Sequence, residues 1–180
     1  MTIYVALLRG INVGGHNKLP MQDLRDILAA LGCEDIKTYI QSGNAVFRSG
    51  DDQTTLRSKI ETAVDKQFGF TPKVLLLTID DYQSILSANP FPEATDNPKS
   101  LHVSFLSEVP LDPNLDALDA LKSPTENYAL LANAFYLHAP DGIGRSKLAA
   151  KVEKCLGVQT TGRNWRTVIK VAELAKSIIS

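Results

Sequence analysis

RSKIETAVDKQFGF runs from Arg57 to Phe70, and RSKLAAKVEKCLGV runs from Arg145 to Val158. At an offset of 88 the two stretches share six of fourteen residues. Most other positions are conservative, such as Ile60/Leu148, Asp65/Glu153 and Phe68/Leu156. Upstream, TYIQSGNAVF from Thr38 matches NYALLANAFY from Asn127 at an offset of 89, and VALL at Val5 resembles VSFL at Val103. Three matches in the same order, the two longer ones at offsets of 88 and 89, point to an internal duplication. Each half is therefore expected to fold in the same way.

The pattern of apolar residues says how. Ile3–Leu8 is an apolar run, followed by Leu24, Ile27, Leu28 and Leu31 at helical spacing and a closing Gly32. Alternation at Ile36, Thr38 and Ile40 predicts a strand, Ser42-Gly43 a turn, and Ala45–Phe47 its hairpin partner. Leu56, Ile60, Ala63, Val64 and Phe68 mark a second helix, and Lys73–Ile79 a fourth strand. This βαββαβ order is the ferredoxin-like arrangement. In the second half the counterparts are a strand at Leu101–Leu106, an acidic helix marked by Leu111, Leu115, Leu118 and Leu121, and a hairpin around Ala132-Asn133. Arg145–Leu156 is the expected second helix.

The repeat breaks at its end. By the offset of 88 the fourth strand should begin at Thr161, yet VQTTGRNWRTVIKVAELAKSII supplies only a short strand at Val158–Thr160. From Asn164 onward Trp165, Val168, Ile169, Ala172, Ala175 and Ile179 predict a C-terminal helix packed against the body. The fold class is therefore α+β: two tandem ferredoxin-like halves, 1–80 and 101–180, the second carrying the C-terminal helix. Residues 81–100 form a connector with a short helix and the prolines Pro90, Pro92 and Pro98.

Composition excludes several classes of function. With 44% hydrophobic and 22% charged residues the chain reads as an ordinary globular protein. No apolar stretch approaches the ~20 residues of a membrane span, and no signal peptide is evident, so a cytoplasmic location is expected. Cys33 and Cys155 stand alone, which argues against both a disulfide framework and a zinc site. A net charge of −1 argues against a general nucleic-acid binder. The charge is segregated, however. Residues 141–180 hold eight Lys/Arg against three Asp/Glu, a balance of +5, and residues 89–128 hold two against seven, a balance of −5.

Two polar clusters are candidate sites. LRGINVGGHNKLP, Leu8 to Pro20, links the first strand to the first helix. Gly10 and Gly15 have P-loop separation, but His16 and Asn17 stand where the phosphate-binding Lys and the magnesium-binding Ser/Thr belong. That argues against magnesium nucleotide hydrolysis. Two readings stay open: an anion-binding nest of backbone N–H groups helped by Arg9 and Lys18, or a turn in which Gly14 and Gly15 merely supply positive φ. His16, in a polar loop, is the acid–base candidate. Ser42 fits a turn better than a nucleophile, and neither a G-x-S-x-G elbow nor H-E-x-x-H occurs.

The second cluster, TTGRNWRT from Thr160, places Arg163, Asn164 and Arg166 at an expected helix start, where the dipole disfavours each cation by ~0.3–1 kcal/mol. Those arginines call for an acidic side chain or an anionic ligand.

LRGINVGG, TYIQSGNAVF, NPFP at Asn89 and RNWRTV at Arg163 together resemble domain-of-unknown-function family 1697 across essentially the whole chain. The resemblance implies a bacterial cytoplasmic protein of two ferredoxin-like subdomains, and it implies no activity or cofactor. Its motifs fall on Arg9, Asn12, Gly14, Gly15, Gln41, Ser42, Gly43, Asn44, Arg163, Asn164 and Trp165, with Gly162 departing from a usually bulkier residue. The expected function is binding of a small anionic or nucleotide-like ligand by a cleft of the glycine-rich loop and the RNWR helix start. Ligand-binding candidates are Arg9, Asn12, Gly14, Gly15, Asn17, Lys18, Gln41, Ser42, Asn44, Arg163, Asn164 and Arg166. The alternatives are an enzyme using His16 in the same cleft and, more weakly, RNA binding, for which Phe47 and Tyr136 are the aromatics to inspect.

Overall fold

The computed structural model describes residues 1–179. It is an α+β molecule with two four-stranded antiparallel sheets, ordered β2-β3-β1-β4 and β6-β7-β5-β8. The chain divides into two compact units. One comprises Met1–Ser84 together with residues from Lys170 on, and the other Ile85–Ile169.

In the first unit, β1 (Thr2–Arg9) lies between β3 (Asn44–Ser49) and β4 (Lys73–Thr78), with β2 (Glu34–Tyr39) on the far side of β3. Alternation decides which side chains face the helices. Tyr4, Ala6 and Leu8 point to α1 (Met21–Ala30) and α2 (Gln53–Phe68) and form a core with Leu24, Ile27, Leu28, Leu56, Ile60 and Val64. Full burial of each such side chain is worth ~1.5–3 kcal/mol. Val5 and Leu7, on the opposite face, are equally inaccessible. The late turns of α6 (Trp165–Ile179) belong to this unit, where Lys37 Nζ donates to Ser177 Oγ at 2.7 Å and the Arg48 guanidinium donates to the Ile178 carbonyl. Asp52 caps α2 by accepting from the Thr54 and Thr55 amides at 3.1 and 3.0 Å, and Gly69 ends it at φ 76°.

The second unit has the same order of elements. β5 (Leu101–Leu106) lies between β7 (Ala134–His138) and β8 (Thr160–Asn164), with β6 (Asn127–Leu131) outside β7. Leu106, Phe135, Leu137, Leu118, Leu148 and Val152 form its helix-side core. The Tyr136 hydroxyl, on the other face, donates to the Ile85 carbonyl at 2.7 Å, near the end of α3 (Ile79–Ser87).

Four expectations are corrected. First, α4 spans Leu115–Leu121, capped by Asn114 through the Ala117 amide at 3.0 Å, and Leu111 is 98% exposed in the preceding loop. Second, the helix expected at Arg145–Leu156 shrinks to a 3-10 turn at Ala149–Lys151 and α5 at Val152–Leu156. By the offset of 88 the first turn of α2, Gln53–Leu56, answers to residues 141–144. Two glycines stand there, Gly142 at φ 85°, and Gly144 replaces the buried anchor Leu56. Each glycine costs a helix ~1 kcal/mol, so the helix starts later.

Third, the short strand expected at Val158–Thr160 is β8, displaced to Thr160–Asn164. It pairs with β5 from Thr160 opposite Leu106 to Asn164 opposite His102. Polar residues suit this edge position, and the alternation survives in Thr161, which is buried. The repeat therefore does not break here. β4 runs directly into α3 and β8 directly into α6, so the connector helix and the C-terminal helix occupy equivalent places. Fourth, the hairpins align differently from the sequences. Asn44 pairs with Leu7 and Ala134 with Phe105, so Asn133 stands where Gly43 does. The two carbonyls accept from Leu8 and Leu106 N–H at 2.8 and 2.9 Å.

Candidate functional site

The glycine-rich segment folds as a small closed loop. Ile11 and Leu19, 2% and 0% exposed, anchor its two ends in the core. Between them the Asn12 amide N–H donates to the Asn17 carbonyl at 3.0 Å, closing the neck. At the tip the His16 N–H donates to the Val13 carbonyl at 2.9 Å around Gly14 and Gly15, whose φ values of 58° and 78° are those of a primed hairpin turn. Asn12 and Asn17 also take positive φ, 54° and 51°, which asparagine tolerates when its side chain bonds locally.

Those side chains are spent on the fold. Asn12 Nδ2 donates to the Leu19 and Gln41 carbonyls at 2.9 and 2.8 Å, and Asn12 Oδ1 accepts from the Leu19 N–H at 2.8 Å. Asn17 Nδ2 donates to the Gly10 carbonyl at 2.9 Å. Asn12 thereby ties the loop to the β2–β3 turn. In that turn Gly43 has φ 86°, and a Cβ there would lie 2.7 Å from Ile11 Cδ1 and 2.8 Å from Leu8 Cβ. Asn44, fully buried, closes the turn by donating to the Tyr39 carbonyl and Ser42 Oγ at 2.8 and 3.0 Å. The LRGIN and QSGN motifs are thus two sides of one hydrogen-bonded hub at the end of β1.

What the hub leaves exposed is a shallow pocket of about 350 Å³, lined by Asn12, Gly15, Lys18, Pro20 and Gln41. Among the described residues, the N–H groups of Gly14, Gly15 and Lys18 donate to no group of the chain, and Lys18 forms no ion pair. No carboxylate lines the pocket, and none occurs between Leu8 and Leu19. Four predicted residues therefore meet here: Asn12, Gly15, Lys18 and Gln41. His16 and Gly14 sit at the exposed tip of the same loop. Arg9, on the face away from α1 and α2, stands opposite Lys73.

Arg163, Asn164 and Arg166 belong to the second unit. They flank a helix start, as expected: Arg163 and Asn164 end β8, and α6 follows at once from Trp165. Arg163 faces the same side as its partner Val103, and its Nη1 donates to the Gly162 carbonyl at 2.9 Å. Asn164 is the cap of α6: its Oδ1 accepts from the Thr167 N–H at 3.0 Å. Thr78 does the same for α3, accepting from the Asp81 N–H at 3.2 Å. Arg166 alone opens the helix, exposed, beside a Trp165 that is 7% exposed. Gly162 has room for a larger side chain, its nearest neighbour being Ser104 Oγ at 3.7 Å.

The other candidates are quiet. Phe47 and Tyr136 are 0% and 1% exposed, so neither can stack a base. Cys33 and Cys155 are free thiols, and burial pushes the Cys33 thiol up, away from nucleophilic use. Among the described residues no three His, Cys, Asp or Glu come together as a metal-binding group, and no helix is long and apolar enough to cross a membrane. Glu126, 5% exposed, carries no sequence signal. His102, whose place at a strand start suggests a surface or boundary residue, instead buries its Nε2 without a hydrogen-bond partner.

Solved structures include a similar one, conserved bacterial protein SP0830 from Streptococcus pneumoniae. It is 28% identical, with a TM-score of 0.77 over 98% of this chain and 99% of that one. No curated protein matches. The family model described as "Protein of unknown function (DUF1697)" matches residues 1–136, which include both motifs of the loop–turn hub, and the chain belongs to that family.

Proposed function

We propose that the protein binds a small anionic or nucleotide-like ligand at the pocket beside the glycine-rich loop. The observation that carries this reading is the set of donors without acceptors: the N–H groups of Gly15 and Lys18, with the Lys18 ammonium, on residues that line a pocket with no carboxylate. Backbone N–H groups held in positive-φ turns favour anions, and a hydrogen-bonded neck prepays their ordering. Asn12, Asn17 and Asn44 shape the pocket, and Gln41 and Lys18 reach the ligand. Catalysis by His16 has less support. His16 is exposed, and no described nucleophile or carboxylate is hydrogen-bonded to it.

The setting for this function is a bacterial cytoplasmic protein built of two ferredoxin-like halves that arose by duplication. Support comes from the identical strand orders, from the paired caps Thr78 and Asn164 at the ends of β4 and β8, and from the bacterial relative.

The test is a thermal-shift series with phosphate, sulfate and AMP. A ligand at ~100 times its Kd that binds only the native state adds ~2.7 kcal/mol. Lys18→Ala should remove most of that gain, and rising chloride should weaken it by screening. Arg163→Ala and Arg166→Ala ask whether the RNWR residues contribute. A shift unchanged in Lys18→Ala, or no shift with any of the three anions, refutes the assignment.

A further inference from the structure

We propose that the second unit holds a separate site for a phosphorylated sugar, in the pocket between the end of α4 and the loop that replaces the first turn of its second helix. The pocket measures about 660 Å³, within the range of small-molecule sites. Three cations line it, Lys122, Arg145 and Lys147, and none of them forms an ion pair among the described residues.

Comparison of the two halves shows why these cations are available. By the offset of 88, Arg145 and Lys147 answer to Arg57 and Lys59. In the first half Lys59 is neutralised by Asp51 at 2.7 Å, alongside a complete and capped α2. In the second half the equivalent helix begins only at Val152, and Lys147 has no acidic partner. The nearby Asp141 is held instead by the Thr125 hydroxyl at 2.6 Å. The second half has given up a helical turn and an ion pair and gained a cationic cavity.

The carboxylates indicate which anion fits. Glu126, 5% exposed, uses Oε2 to accept from the Ser123 N–H at 3.0 Å, and no described bond occupies its Oε1. Asp141 is likewise oriented by a neutral donor rather than by one of the cations. A bare phosphate would meet repulsion from these two groups. A ligand with a phosphate at one end and hydroxyls at the other satisfies both, the phosphate on Lys122, Arg145 and Lys147 and the hydroxyls donating to Glu126 and Asp141.

The full chain is titrated by calorimetry and amide NMR with ribose 5-phosphate, glucose 6-phosphate and fructose 1,6-bisphosphate, with ribose and inorganic phosphate as controls. At least one sugar phosphate should bind saturably at millimolar or lower concentration, more tightly than either control, and should shift the amides of residues 141–148. Arg145→Ala and Lys147→Ala should each weaken it about tenfold, the loss of one charge-assisted hydrogen bond. Both residues are exposed, so the apo melting temperature should hold. Lys18→Ala should leave this binding unchanged, which separates the site from the glycine-loop pocket. Failure of all three sugar phosphates to bind, phosphate binding as tightly as they do, or wild-type affinity retained in both Arg145→Ala and Lys147→Ala overturns the proposal.

Discussion

Gly43→Ala tests the loop–turn hub most directly. The new methyl group would lie 2.7 Å from Ile11 Cδ1 and 2.8 Å from Leu8 Cβ, closer than real Cβ contacts come, with both neighbours 2% exposed or less. Neither can yield without opening the core beneath β1. Overpacking of this kind costs ~1–3 kcal/mol. The φ of 86° adds ~1–2 kcal/mol for a residue with a Cβ, partly offset by ~0.4–1 kcal/mol from the stiffer unfolded chain. The net expectation is a destabilisation of ~2–4 kcal/mol, read from urea unfolding followed by far-UV circular dichroism. Gly15→Ala is the control. Its φ is 78°, yet nothing lies within 4 Å of the added Cβ, so only the conformational part remains, about 1 kcal/mol. If the two variants lose the same stability, the steric account of Gly43 is wrong and the SGN motif is kept by conformation alone.

Asn164→Ala should cost ~1 kcal/mol by removing the α6 cap, while Asn164→Asp should keep most of it. Equal losses in chemical denaturation would mean that Asn164 serves something other than the Thr167 N–H. His102 is held below the ordinary imidazole pKa of 6.5, first by burial, with a bond to the Lys99 backbone pulling the other way. The unfolded chain therefore binds a proton that the native state refuses. Stability should be full above about pH 6.5 and fall as the pH drops from there toward the native pKa. His102→Leu should flatten that part of the profile, and a profile unchanged by the substitution would remove His102 as its cause.

The architecture was legible where apolar residues keep a period. β1, β4, α1 and the matching order of the two halves can all be read from Val5–Leu8, Lys73–Thr78, Leu24–Leu28 and the RSK repeats. β8 was misplaced because TTGRN is polar and carries its strand character in pairing to β5 rather than in its own side chains. α5 was overestimated because the helical period persists through Arg145–Leu156 while Gly142 and Gly144 remove the turn that would start it. The roles of Asn12, Asn44 and Asn164 were hidden for another reason. Each side chain serves a backbone group: Asn44 and Asn164 bond within five residues, which turn and cap rules could have caught, whereas Asn12 reaches Gln41 across 29. The grouping of Asn12, Gly15, Lys18 and Gln41 around one pocket follows from that distant bond and from the antiparallel register, neither of which has a local signal.

The membership of the two units sets an order of assembly. The unit encoded first includes residues from Lys170 on, and its bonds from Lys37 to Ser177 and from Arg48 to Ile178 join positions 140 and 130 residues apart. During translation the β2-β3-β1-β4 sheet can pair long before its last covering helix leaves the ribosome. The second unit, whose residues Ile85–Ile169 are contiguous, has every part it needs earlier. The first unit therefore completes after the second, and until residues 170–179 arrive its Lys37 and Arg48 lack the Ser177 and Ile178 partners they have in the finished protein.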